Sequence, residues 1–320
     1  MQRPRVLIVS PASQRENNGN WQTASRWAHF LRARWRVTIA PDWDTSAPAP
    51  DLMIALHARR SAAPLAAFAA AFPERPRVLV LTGTDLYRDI ATDTAAQASL
   101  AHAHRLVLLQ ADGLALLAPA VRARACVIHQ SAPALTPFRH AAARRFIDIV
   151  MIGHLREEKD PRTFMRAAAL VTAPKARLLH IGGALDPILG ELAVATQAAT
   201  PRYRWLGAMP HAATRQRLRR SHAMVIASHM EGGANVIIEA LTCGVPVLAS
   251  DISGNRGMLG DGYAGYFAPA DAPALARLIE RCIGDASFHA LLRRQCDARA
   301  PLFAPEHERA SVLDLVDNLL

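Results

Sequence analysis

The chain has 320 residues, 51% apolar and 20% charged, a balance that excludes a disordered or fibrous protein and is long enough for two domains with cores of their own. The net charge is +10, and residues 1–150, with 18 basic and 10 acidic side chains, hold +8 of it. Such one-sidedness points to an anionic partner (nucleic acid, acidic lipid or a phosphorylated small molecule), although Lys159 and Lys175 are the sole lysines and the arginine excess also fits a plain compositional bias.

Met1-Gln2-Arg3-Pro4-Arg5 is followed by only four apolar residues, too few for a signal peptide. No apolar run approaches the length of a membrane span. Strands are expected over 6–10, 37–40, 52–56, 78–81, 106–109 and 126–128. Between the first two, Trp21, Ala24, Trp27, Ala28 and Leu31 recur at helical spacing, and further helices are expected over 61–72 and 95–102. Residues 131–145, with Pro133, Pro137 and a basic cluster, read as a linker. The rhythm then restarts, with strands over 147–153, 178–183, 225–228 and 245–250. Helices over 163–171, 187–198, 235–243 and 272–283 separate them, and an amphipathic helix over 306–320 closes the chain. Alternating strands and helices imply parallel sheets with helices on both faces. The fold expected is α/β, two doubly wound domains over 1–135 and 146–304 with a closing helix over 305–320. Ligands of such sheets bind beyond the carboxyl ends of the strands, which makes a cleft between two facing domains the default site.

Cys126, Cys243, Cys282 and Cys296 show no pair spacing, so they read as reduced thiols in a cytoplasmic protein, and no metal site is expected. Asp42-Trp43-Asp44 reads as a turn. The strongest chemical signal is Glu231-Gly232-Gly233-Ala234-Asn235-Val236, with Glu239 one turn further on. A strand ends before it and a helix opens within it. The glycines admit a ligand close to the backbone, and the helix start offers N–H groups to phosphate. Two carboxylates flanking such a turn suit the hydroxyls on either side of a diphosphate. The second signal is Gly153-His154-Leu155-Arg156-Glu157-Glu158-Lys159. Its Arg156 and Lys159 leave a strand end, where a guanidinium fork and an ammonium suit a diphosphate leaving group.

These two motifs, in this order, resemble the second domain of retaining GT-B glycosyltransferases of the family 4 type, which use nucleotide-activated sugars, and the resemblance extends over the whole chain. Within that group the first half is most similar to the selenosugar synthases of selenoneine biosynthesis. The similarity lies in Gly19-Asn20, Thr23-Ala24, Arg26-Trp27-Ala28, the run from Ala55 to Ser61, and Thr82-Gly83-Thr84-Asp85-Leu86-Tyr87. The resemblance implies that Arg156 and Lys159 hold the donor diphosphate and that Glu231 reaches the sugar hydroxyls. Gly232, Gly233, Ala234, Asn235 and Val236 would touch sugar and phosphate, Glu239 the ribose, and His57 the transferred sugar. Most relatives carry a bulkier Gly-Phe-Gly-type turn where this chain has Gly232-Gly233-Ala234-Asn235.

The implied reaction joins the sugar of UDP-GlcNAc or UDP-Glc to the selenium of selenophosphate, giving a 1-selenosugar with a C–Se bond. Arg59 and Arg60 with the hydroxyls of Thr82 and Thr84 form the expected acceptor cradle, and Asp85, Gly19 and Asn20, in the turns at strand ends, are expected binding residues as well. No tightly bound cofactor, nucleic-acid partner or membrane partner is expected, and a homo-oligomer stays open. Two other readings compete: a hexosyltransferase acting on a hydroxyl of a lipid or small metabolite, and a non-catalytic nucleotide-sugar or nucleic-acid binding protein. No basic, aromatic-interleaved strand supports the last.

Overall fold

The computed structural model describes residues 3–13, 19–139 and 145–320. The chain divides into two compact units, one of 1–131 with 305–320 and one of 132–304. Residues 14–18 of the expected turn after the first strand, and 140–144 of the linker, lie outside the described residues.

In the first unit, β1 (Arg5–Val9) leads to α1 (Gly19–Leu31), β2 (Arg36–Ala40), β3 (Leu52–Leu56), α2 (Ala62–Ala71), β4 (Arg77–Leu81), α3 (Thr94–His102), β5 (Arg105–Leu108) and β6 (Ala125–Val127). The strands form one parallel sheet in the order β2-β1-β3-β4-β5-β6. Val6 and Ile8 pack in a cluster with Trp27 and Leu31, whereas Leu7 and Val9 pack with Leu65 and Phe68. Both faces of β1 are therefore covered, which is why its sequence is a continuous apolar run.

In the second unit, β7 (Ile147–Ile152), α4 (Pro161–Leu170), β8 (Ala176–Ile181), α5 (Pro187–Ala199) and β9 (Tyr203–Trp205) come first. Then follow α6 (His211–Arg219), β10 (Ala223–Ile226), α7 (Asn235–Leu241), β11 (Val247–Ser250), α8 (Ser253–Leu259), β12 (Tyr266–Phe267), α9 (Ala272–Gly284) and α10 (Ala286–Arg299). This sheet is also parallel, in the order β9-β8-β7-β10-β11-β12. This is a doubly wound order, with its reversal of direction between β7 and β10.

The closing helix, α11 (Pro305–Asp317), packs on α1 in the first unit. Its Glu308 is buried and accepts from Arg26 Nε at 2.5 Å, Trp27 Nε1 at 2.8 Å and Ser131 Oγ at 2.5 Å. Helices α6, α8 and α10 and the short edge strands β9 and β12 fall outside the elements expected from sequence. Helix α8 carries two glycines, poor helix formers. Gly254 is required there because a Cβ would lie 1.9 Å from the Glu231 carbonyl oxygen.

Candidate functional site

The reversal point of the second sheet brings together the loops after β7 and β10. Beyond β7, Gly153 leads into a tight 3-10 turn over Glu157–Lys159. Asp160 adopts φ +44° and caps α4, accepting from the Thr163 N–H at 3.1 Å. Beyond β10, the His229 N–H donates to the Glu158 carbonyl at 3.0 Å and ties the two loops together. Lys159 Nζ then meets Glu231 Oε1 at 2.5 Å, with side-chain exposures of 17% and 9%.

The same Glu231 oxygen accepts from Ser228 Oγ at 2.6 Å. The Ser228 carbonyl accepts from Ser250 Oγ at 2.6 Å, and Asn255 Nδ2 donates to the Ser250 carbonyl at 2.8 Å. All four of these polar residues are buried. A carboxylate so held has a defined orientation, and its main counter-charge is a flexible lysine.

Arg156 is on the same loop, half exposed, with Nε 4.0 Å from Glu158 Oε2. Gly232 and Ala234 are buried, and Gly233, Asn235 and Val236 partly so. Ala234 precedes α7 and offers no side-chain cap. Glu239, one turn into α7, is buried, and its Oε1 is 2.5 Å from His211 Nε2. That hydrogen bond holds the His211 imidazole above the usual histidine range. The structure thus joins Lys159 to Glu231 and places Glu239 one turn into α7, paired with a histidine.

In the first unit, the reversal lies between β1 and β3. His57 follows β3 in the left-handed region, with φ +75°, a strained conformation for a non-glycine residue. Its Nδ1 accepts the Arg60 N–H at 3.4 Å, so Nε2 carries the hydrogen and donates to Thr84 Oγ1 at 3.0 Å. His57 is 4% exposed. Burial pushes its imidazole below the usual histidine range, outweighing the opposing pull of Asp85.

Asp85, expected among the acceptor-side residues, lies where the loops after β3 and β4 meet. Its carboxylate is fully buried and accepts from the N–H groups of Ala58 at 2.9 Å, Thr82 at 3.0 Å and Gly83 at 2.7 Å. It pins the β3 and β4 loops together. Arg59 and Arg60 are exposed at the end of β3, and Arg59 Nε lies 3.6 Å from Asp89 Oδ2. Thr82 is half-buried beside them. Gly19 and Asn20 open α1, where the Gly19 carbonyl accepts from Thr23 Oγ1 at 2.9 Å.

Sequence reasoning missed Ser228, His211 and Asp89. Ser228 was within reach, because it ends an apolar strand three residues before Glu231. His211 and Asp89 carried no local signal. Asp42-Trp43-Asp44 is a turn, with Asp44 Oδ1 accepting from the Ser46 N–H at 2.9 Å.

A family model described as "Glycosyl transferases group 1" matches residues 136–301, a span inside the second unit. The D-inositol 3-phosphate glycosyltransferase of Jonesia denitrificans is 26% identical over 180 residues, 53% of this chain and 42% of that protein. The match therefore spans about two fifths of the curated relative's length. Among solved structures, Anabaena HepE in complex with UDP and glucose superposes with a TM-score of 0.80 at 16% identity, over 99% of this chain and 100% of that one. Sucrose-phosphate synthase from Thermosynechococcus elongatus gives 0.79 at 18% identity, over 99% of both chains. These likenesses establish the GT-B fold. No helix among the described residues is long and apolar enough to cross a membrane.

Proposed function

The chain belongs to the group 1 glycosyl transferases, and on that basis we propose that it transfers a sugar from a UDP-sugar to the selenium of selenophosphate, with retention at the anomeric carbon. The observation that carries the donor half is the Lys159–Glu231 pair at the β7/β10 reversal. In this reading the donor exchanges that pair for its own contacts. Lys159 and Arg156 meet the diphosphate, and Glu231, still held by Ser228, accepts from sugar hydroxyls. The loop from Gly232 to Val236 approaches sugar and phosphate, and Glu239 takes the ribose. HepE binds UDP and glucose, as its complex states, which supports a UDP-sugar here.

Cleavage of the anomeric bond places negative charge on the diphosphate and positive charge on the sugar. Fixed cations stabilise the first without reorganising during the step. Selenophosphate attacks on the face the diphosphate leaves, through an already anionic selenium, so no strong general base is needed. UDP departs, and water then removes the phosphoryl group to leave a 1-selenosugar and phosphate. His57 donates from Nε2 to Thr84 and is depressed in basicity, which suits positioning of the sugar rather than proton abstraction. Arg59, Arg60, Thr82 and Thr84 hold the acceptor, with Asp85 shaping their loops and Gly19 and Asn20 at the neighbouring helix start.

The name of the Jonesia relative favours a second reading, a phosphorylated polyol whose hydroxyl is the nucleophile. The two share an acceptor phosphate and differ in the attacking atom. Incubation with UDP-GlcNAc and UDP-Glc, each with selenophosphate or with inositol phosphate, separates them by mass spectrometry. A hexose bearing selenium is expected. Transfer to the polyol alone would replace the selenium reading, and release of UDP with neither acceptor would overturn both.

A further inference from the structure

The loops after β3 and β4, neighbouring strands of the first sheet, meet over a further buried carboxylate that no step of the proposed reaction uses. Asp89 is 2% exposed. It closes a π-helical turn over Asp85–Asp89, in which the Ile90 N–H reaches back five residues to the Asp85 carbonyl. Turns of this kind are rare and concentrate at functional sites. The wider turn brings side chains four apart onto one side, so Asp85 and Asp89 are both buried while Arg88 is exposed.

A buried carboxylate needs a compensating charge. His57 does not supply it. Its Nε2 lies 4.0 Å from Asp89 Oδ2 but donates to Thr84 Oγ1, and burial holds the ring below the usual histidine range. The charge comes from two arginines. Arg88 Nε donates to Asp89 Oδ1 at 3.0 Å, and Arg59 Nε stands 3.6 Å from Oδ2. The Arg88 and Arg59 side chains are nonetheless 52% and 48% exposed. Both guanidiniums thus turn the Nε edge to one carboxylate, and their Nη groups make no hydrogen bond among the described residues. We propose that Arg59 and Arg88, paired on Asp89, clamp the dianionic phosphoryl group of the acceptor, with Asp89 as the residue that positions them.

The charges and shapes suit that ligand. One carboxylate against two guanidiniums leaves a positive charge in excess, and Arg60, exposed beside Arg59, adds another. A tetrahedral dianion can accept from two planar forks at once, which an ammonium cannot imitate. A carboxylate facing the anion would repel it, but Asp89 is buried behind the exposed arginines, where its charge fixes their planes. Asp89 Oδ2 is buried and accepts no hydrogen bond among the described residues. At 3.6 Å, Arg59 Nε falls short of one. A ligand that draws the Arg59 fork into line lets Nε close on that oxygen, so the bound state gains a bond that the free state lacks. This clamp deepens the acceptor half of the proposed reaction and rests on it for the ligand's identity. It adds Arg88 to the acceptor side and favours a phosphorylated acceptor over an uncharged hydroxyl.

The test uses the full chain without donor, titrated with inorganic phosphate by calorimetry. Arg88→Ala and Asp89→Asn should each weaken phosphate at least about tenfold, while affinity for UDP changes by less than about twofold. Arg88→Lys keeps the charge and should still lose about fivefold, because it has no fork. Methylguanidinium added to Arg88→Ala should restore phosphate binding, a rescue that a misfolded variant would not show. In turnover with a UDP-sugar and a phosphorylated acceptor, Asp89→Asn should raise the acceptor KM at least about tenfold and leave kcat within about threefold. Absence of phosphate binding by the wild type, or unchanged affinity in Arg88→Ala and Asp89→Asn, would overturn the clamp. So would an Asp89→Asn protein that melts lower but binds phosphate normally. Phosphate binding that depends on both residues, in a protein that transfers no sugar to selenophosphate, would uphold the clamp and remove the selenium reading alone.

Discussion

Each unit buries a carboxylate at the carboxyl ends of its strands, and the two are satisfied in opposite ways. Glu231 is met by side chains, Lys159 Nζ at 2.5 Å and Ser228 Oγ at 2.6 Å. Asp85 is met by three backbone N–H groups, those of Ala58, Thr82 and Gly83. A lysine can swing from a carboxylate to a phosphate at modest cost, whereas backbone amides cannot leave without unfolding the loop. Glu231 therefore holds an exchangeable charge and Asp85 a fixed pin. Burial alone would have ranked the two alike, and the nature of the donors separates them.

The largest test of that contrast lies in the exchangeable pair. Lys159→Ala and Glu231→Ala should each lower kcat/KM for the UDP-sugar by about 10³-fold or more, close to the loss of a central electrostatic contact at a transition state. Circular dichroism should stay near wild type in both, and Glu231→Ala should keep its melting curve because Lys159 can turn toward solvent, whereas Lys159→Ala leaves a buried carboxylate held by Ser228 alone and should melt lower. Near-wild-type turnover in either variant would remove the donor site from this location.

The fixed pin should fail differently. Asp85→Asn keeps one accepting oxygen and sets an NH2 group against amide donors. It should cost about 2–4 kcal/mol of stability, read as a lower urea midpoint with an unchanged slope. If Asp85→Asn kept full stability and lost turnover alone, Asp85 would move from the loop's framework into contact with substrate.

The same contrast explains how much was legible in the sequence. Strands β1, β3, β4, β7 and β10 were readable because apolar runs of four to six residues recur between helical periods, and burial on both faces leaves that signature. Lys159 and Glu231 were readable because each follows such a strand, and a parallel sheet delivers its strand ends to one edge. Their pairing across 72 residues was an expectation of topology rather than of spacing. The Asp85 role was hidden because Thr82-Gly83-Thr84-Asp85 reads as a polar cradle, and only the fold reveals which way the carboxylate turns. His211 was hidden for a like reason. Helix α6 is strongly polar, its buried residues are few, and Glu239 lies 28 residues away. Helix α8 was obscured by the glycine that lets it approach Glu231.

Protonation sharpens the comparison within the second unit. His180, on β8, is fully buried, with Nδ1 3.0 Å from the Tyr203 hydroxyl and Nε2 3.3 Å from the Gly153 carbonyl. Burial pushes its imidazole down to about 4. The unfolded chain takes up this proton near pH 6.5, and the folded one only near 4. Its contribution to stability is complete above about pH 6.5 and is lost as pH falls toward 4, by about 3 kcal/mol at the lower end. His180→Gln should flatten that acid limb of the stability curve, measured by urea denaturation between pH 4 and 7. Because Gly153 opens the Arg156–Lys159 loop, an unflattened limb would show that this loop's anchor does not exclude water.

His211 runs the other way and carries the smallest effect. Its hydrogen bond to Glu239 raises the imidazole above the unfolded value. The stabilisation is therefore fully present below about pH 6.5 and fades as pH rises through the raised folded value. The histidine side chain is 55% exposed, so solvent screens the pair and no large energy is at stake. The consequence for binding is competition, since an imidazolium bound to Glu239 occupies the oxygen proposed for the ribose. Affinity for UDP in the wild type, compared with His211→Ala, should rise from pH 6 to pH 8 by no more than about fivefold. Calorimetric titration of both proteins at the two pH values reads this difference directly. If His211→Ala instead weakened UDP at both pH values, the histidine would be a ligand in its own right, and the exchangeable character of Glu231 would not extend to Glu239.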